Sequence, residues 1–160
     1  MAELLSAVVE RIAAKLKATG STLAVSESAS GGLISASLLA IPGASSFYLG
    51  GAVVYTQASR EALLGIDAAQ MTGIRSASEP YASLCAQRIR QRLGADWAIA
   101  ETGAAGPTGN RYGDAAGHAC IAVDGQVQAV RTIETGDSSR EANMWRFAVE
   151  ALTLLDEQLS

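Results

Sequence analysis

The chain is poor in the residues from which metal, disulfide and general-base sites are usually built. It has one histidine, His118, and two cysteines, Cys85 and Cys120, with no Cys-x-x-Cys or His-x-x-x-His pair in 160 residues. A zinc site, which draws its ligands from such pairs, is not expected. The two thiols lie among apolar neighbours and read as buried free cysteines, since cytosolic disulfides are rare. Lysine is scarcer than arginine: Lys15 and Lys17 are the only two, both near the start of the chain, against ten arginines. Long apolar runs are missing too. The best of them, residues 33–41, contains two serines and is too short to span a bilayer. The opening 19 residues alternate charge with apolar character, unlike a signal peptide, so a cytoplasmic location is expected. A net charge of −4 gives no reason to expect nucleic acid or a membrane as partner.

What remains is a chain of ordinary globular composition, 49% apolar and 18% charged. One domain over residues 1–160 is expected. Leu4, Leu5, Val8, Val9, Ile12 and Leu16 recur at helical spacing, predicting an amphipathic helix that ends near Gly20. Residues 22–26 predict a strand, 30–40 a helix stopped by Pro42-Gly43, and 51–56 a second strand. Ser59 is placed to cap a short helix ending at Gly65. Ser78, with Pro80 in the first turn, opens a helix running to about Leu93. Residues 96–102 predict a strand, and 116–123 with 127–133 a hairpin turning at Asp124-Gly125. Ser138 and Glu141 predict a capping box for a last helix reaching about Gln158. Strands alternating with helices indicate an α/β layered fold with one late antiparallel pair.

Two loops stand out. Ser26-Glu27-Ser28-Ala29-Ser30-Gly31-Gly32 joins a strand to a helix, and residues 103–110 follow another strand. Strand-to-helix turns aim hydroxyls and unpaired N–H groups at one point, so a serine there is either a nucleophile or a helix cap. Neither loop matches a dinucleotide or P-loop pattern. Together they suggest an anionic-ligand site at the carboxyl ends of the strands. Tyr55 closes a predicted strand, and Glu101 ends an apolar one, where it must face solvent or find a partner such as Arg60.

In this order and spacing the segments resemble the CinA C-terminal domain family of competence/damage-inducible proteins, which includes nicotinamide mononucleotide deamidases. Residues 26–32 stand where the family carries Ala-Glu-Ser-Cys-Thr-Gly-Gly. Val54-Tyr55-Thr56-Gln57-Ala58-Ser59-Arg60 is similar to Thr-Tyr-Ser-Asn-x-x-Lys. Ala77-Ser78-Glu79-Pro80 matches Val-Ser-Glu-Pro, and residues 102–110 match Thr-Gly-Ile-Ala-Gly-Pro-x-Gly-Gly. The resemblance implies a three-layer α/β/α sandwich with a mixed sheet of about five strands. It implies an amidohydrolase that converts the nicotinamide carboxamide of nicotinamide mononucleotide to the carboxylate and ammonia, without metal or other cofactor. Ser28 would be the nucleophile, with Tyr55 and Arg60 as its catalytic neighbours. Ser30, Gly31, Gly32, Thr102, Gly103, Ala105, Gly106 and Gly109 would bind substrate. The expected partner is a small anionic nucleotide, with a homodimer as a further expectation.

The departures fall on the chemistry. Arg60 replaces the lysine that would take the serine proton, and arginine stays protonated. Ala29 replaces the motif cysteine, His118 a threonine, and Glu101 a small or hydroxylated residue. The Gly-Asp-Arg motif is spread over residues 136–140, and an arginine expected one turn later falls on Met144. A substitute base must come from Glu27, Glu101, His118 or Tyr55. Three readings follow: an active amidohydrolase, a binding or sensor homologue without turnover, or a hydrolase of another small anion gripped by Arg60.

Overall fold

The computed structural model describes the backbone of residues 2–160 and side chains from Leu5 onward. Leu4, counted in the predicted apolar stripe, has its side chain outside the described set. The order of elements is α1 (Ala2–Thr19), β1 (Leu23–Glu27), α2 (Leu33–Leu39), β2 (Tyr48–Val53), α3 (Gln57–Leu64), α4 (Glu79–Leu93), β3 (Trp97–Ala104), β4 (His118–Asp124), β5 (Gln128–Glu134) and α5 (Arg140–Gln158). The strands form one sheet in the order β2-β1-β3-β4-β5, parallel among the first three and antiparallel from β3 to β5. The fold is a three-layer α/β/α arrangement on a five-stranded mixed sheet.

Side-chain alternation along the strands assigns the two layers. Leu23, Val25, Trp97, Ile99, Ile121 and Val123 face α1, α2 and α5, where they meet Ile12, Leu16, Leu38, Leu152 and Leu155. The opposite series, Ala24, Ala98, Ala100, Cys120 and Ala122, faces α4 and its residues Tyr81, Ala82, Cys85, Ala86 and Ile89. That second face is largely alanine. The small side chains leave α4 close to the sheet, and α4 packs with Ala82 and Ala86 fully buried.

Most predicted elements stand, and three local expectations need correction. The second strand runs over 48–53 rather than 51–56, because Tyr48 to Val53 pairs in parallel with β1 while Val54 makes only the last bond, its N–H donating to Glu27 O at 2.7 Å. Thr56, not Ser59, caps α3; Ser59 supplies the reciprocal half of that capping box. At α5 the cap position is Ser139, with no side-chain cap bond, so the Ser138–Glu141 box does not form. Asp137 instead accepts the Ser139 N–H at 2.8 Å. Ser78 caps α4 as its sequence suggests, and Gly65 and Gly94 end α3 and α4 in left-handed conformation. Among the described residues no helix is long and apolar enough to cross a membrane.

Candidate functional site

The same alternation that builds the core places two acids side by side. Glu27 continues the series of Leu23 and Val25 on β1, and Glu101 continues that of Trp97 and Ile99 on the neighbouring β3. Both therefore emerge on the α2 side, under the turn 28–32, and each is at least 98% buried. Glu27 is spent on the helix. Its Oε1 accepts from Gly32 N at 3.1 Å and Ile34 N at 2.9 Å, and its Oε2 from Ser35 N at 2.8 Å. The carboxylate of the preceding strand thus satisfies the orphan donors at the start of α2, where its charge complements the helix end. Ser30 is not the cap. Gly32 holds that position without a side-chain bond, and Ser30 Oγ lies between Glu27 Oε1 at 2.8 Å and Glu101 Oε1 at 2.6 Å.

A hydroxyl donates one proton only, so this double contact requires a proton on one of the carboxyls. Burial pushes the Glu101 carboxyl up, with the nearby Glu27 charge adding to it, against the hydrogen bonds from Ser30 and Ser28 that lower it. Of the two carboxyls, Glu101 is the one whose surroundings favour a proton. Glu101 Oε1 also accepts the backbone N–H of Ser28 at 3.0 Å and of Ser30 at 2.9 Å. The turn's inward N–H groups are therefore already occupied. Glu101 Oε2 is buried without a partner.

Above the turn lies a cavity of about 290 Å³ that brings together Ser28, Tyr55, Arg60, Thr102 and Gly103. Ser28 Oγ has no hydrogen bond to any described residue. Arg60 makes no ion pair with one either; its Nε is buried and unpartnered, and its guanidinium lies 5.7 Å from the Tyr81 ring centre. Beneath Arg60, burial drives the Tyr81 phenol far above its usual range and pushes the Cys85 thiol up to about 12, so both are neutral. Tyr55 is 61% exposed; its hydroxyl accepts from Arg140 Nη2 at 2.9 Å, while Arg140 Nη1 donates to Gly106 O at 2.6 Å. Arg140 thereby ties the tyrosine to the glycine loop. Gly103 must be glycine, because a Cβ there would sit 2.5 Å from His118 O on the paired strand β4. A larger hollow of about 390 Å³ between α1 and α2 is mostly apolar, with Glu10 the one charged residue in its lining. The free hydroxyl and a guanidinium without a carboxylate partner mark the smaller cavity as the candidate site.

Ser30, Gly31, Gly32, Ala105, Gly106 and Gly109 do not line this cavity. Ser30 is fully buried, Ala105 and Gly106 are anchored by Asn143 and Arg140, and Met144 packs over Gly31 with its methyl 2.9 Å from an added Cβ position. His118 also stands apart. It is buried, with Nδ1 on Glu134 Oε1 at 2.5 Å and Nε2 on Ala77 O at 2.8 Å, and so has no lone pair for Ser28. The cavity wall includes Ser76, Ala77, Tyr81, Asn110 and Tyr112, which the sequence reading did not assign to substrate. Asn110 ends the glycine-rich segment of residues 102–110. Its Oδ1 accepts the N–H groups of Tyr112 and Asp114, shaping the rim, and a side chain that caps its own turn is a signal sequence can offer. Arg75 pairs with Asp114 at 2.7 Å and 3.1 Å, holding that carboxyl below its usual range. No cluster of three metal-ligating side chains occurs among the described residues.

Two raised groups fix the sign of a pH effect. Glu101 is raised from 4.5 by burial; His118 is raised from 6.5 because its bonds to Glu134 and Ala77 outweigh burial, which alone would lower it. Each binds its proton more tightly folded than unfolded, so its stabilisation is complete below the unfolded value and is lost as pH rises through the folded one. The urea midpoint should therefore fall from pH 6 to pH 9, and His118→Gln should flatten the decline. A midpoint that rises over this range contradicts the assignment.

The comparisons with known proteins agree with this architecture. A CinA-like protein of Gloeobacter violaceus is 37% identical over 144 residues, covering 90% of this chain and 34% of its own length. A CinA-like protein of Synechococcus is 40% identical over 122 residues, covering 76% of this chain and 28% of its own. The chain thus spans about a third of the length of these curated relatives. The crystal structure of a competence or damage-inducible protein from Enterobacter asburiae superposes with a TM-score of 0.91 at 29% identity, covering 98% of both chains. The family model for the CinA C-terminal domain matches residues 5–159. The chain belongs to the CinA C-terminal domain family.

Proposed function

We propose that this pocket is an amidohydrolase-type site that binds a small anionic, nucleotide-like molecule, with Ser28 at the position of the attacking nucleophile. The observation that supports the reading is the pairing of a free hydroxyl, Ser28 Oγ, with a guanidinium that has no carboxylate partner, Arg60, on one cavity. A partly buried cation without a carboxylate partner favours an anionic ligand, and Arg60 cannot serve instead as a base. Nicotinamide mononucleotide is the family-derived candidate. Its carboxamide would be hydrolysed to the carboxylate and ammonia through an acyl-serine, with a phosphate held by guanidinium.

A second reading, binding without turnover, draws on a specific observation: no described side chain accepts a proton from Ser28. Glu27 caps α2, His118 is held elsewhere, and Glu101 lies beneath the turn, bonded to the Ser28 and Ser30 N–H groups. Titration calorimetry with nicotinamide mononucleotide, run beside an ammonia assay, tests both. Arg60→Ala should weaken binding by about 10- to 100-fold, the loss of one charged contact. Ammonia release that disappears in Ser28→Ala supports the hydrolase; binding with no ammonia supports the second reading. Absence of binding at millimolar nucleotide removes the nucleotide assignment.

A further inference from the structure

The cavity wall at Ser76–Ala77 is built in an unfavourable way. Ala77 has φ of +56°, the one non-glycine residue in the left-handed region among those described, where a β-carbon is disfavoured. Three contacts hold it: its N–H donates to Thr102 Oγ1 at 3.2 Å, while its carbonyl accepts from His118 Nε2 at 2.8 Å and from Cys120 Sγ at 3.6 Å. We propose that His118 is a positioning residue for the ligand pocket, clamping the Ala77 carbonyl so that Ser76 and Ala77 form its wall.

The clamp works through both ring nitrogens. Nδ1 faces Glu134 Oε1 of β5 and Nε2 faces the Ala77 carbonyl, and both partners are acceptors. Only the imidazolium donates to both. The surrounding charges favour that form. Asp114 Oδ2 lies 3.6 Å from Nε2, and Glu79 of α4 is bonded to Thr132 beside Cys120, whose thiol is 3.8 Å from the ring. Arg75 is the opposing cation; it is tied to Asp114 and donates to Ser76 O at 3.1 Å, bracing the same wall from the other side. Loss of the His118 proton leaves a lone pair against either the Glu134 carboxylate or the Ala77 carbonyl. The wall then keeps the Thr102 and Cys120 contacts and its strained φ without its strongest restraint.

Two measurements on the full chain test this. In NMR spectra the His118 ring should titrate above its ordinary value, and the Ser76 and Ala77 amides should shift with the same midpoint. Glu134→Gln should move both midpoints to lower pH together, and His118→Gln should abolish the amide transition. The binding arm rests on the pocket proposed above: affinity for nicotinamide mononucleotide should fall at least fivefold from pH 6 to pH 9. It should lose that dependence in His118→Gln and in Ala77→Gly, where glycine adopts the φ unaided. If the nucleotide binds at no pH, the ligand reading fails and the NMR arm alone decides the clamp. Amide shifts at 76–77 that ignore the His118 titration, or persist in His118→Gln, overturn it.

Discussion

Glu27→Ala should destabilise the protein by about 3–5 kcal/mol, measured as a drop in the urea midpoint at unchanged slope. The carboxylate is 99% buried and receives four hydrogen bonds: three from the backbone N–H groups of Gly32, Ile34 and Ser35, and one from Ser30 Oγ. Alanine leaves these donors without a partner beneath the turn, where water has no ready access. Each stranded buried donor costs about 1–3 kcal/mol, though relaxation shares the loss among them. α2 spans only Leu33–Leu39, too short to persist without its cap and its packing of Ile34 and Leu38. Glu27→Gln separates charge from shape. Its carbonyl oxygen can replace one carboxylate oxygen, but its NH₂ cannot accept, so a smaller loss of about 1–3 kcal/mol is expected. A change below 1 kcal/mol for Glu27→Ala would mean that the turn finds other acceptors and that Glu27 is not the keystone of α2.

This role explains where the sequence was legible and where it was not. The short apolar runs 23–25 and 97–100 identified strands, and the glycine and hydroxyl loops after them marked the carboxyl ends of neighbouring strands. Those signals are local. The identity of the helix cap was not, because the acceptor for α2 lies on the preceding strand, five to eight residues before the N–H groups it serves. Serine at 30 has the right chemistry for a cap, and it lost that place to an acid whose contact depends on the sheet face it occupies. Glu101 was the same kind of problem: its choice between solvent and Arg60 was resolved by neither, since β3 places it beside Glu27 under the turn. His118 looked available as a base until β5 and the 75–78 segment supplied acceptors for both nitrogens from 16 and 41 residues away. Arg140 was recognisable only as part of a stretched motif. Its reach to Tyr55 and Gly106 bridges 85 and 34 residues, which spacing cannot reveal.

Arg60→Lys is expected to raise amide hydrolysis of nicotinamide mononucleotide by about 10²-fold or more, within the 10²–10⁴ range typical of a positioned general base. A serine hydroxyl attacks poorly unless its proton has somewhere to go. Arginine offers only donors, whereas a lysine in a partly desolvated pocket loses its proton more readily and can take that of Ser28. The surroundings suit the change: the Arg60 Nε is buried without a partner, no described carboxylate pairs with the guanidinium to hold a lysine charged, and the Tyr81 phenol beside it remains protonated. The gain should vanish in Arg60→Lys/Ser28→Ala. If Arg60→Lys binds nucleotide but hydrolyses no faster than the parent chain, the missing base is not what limits this site.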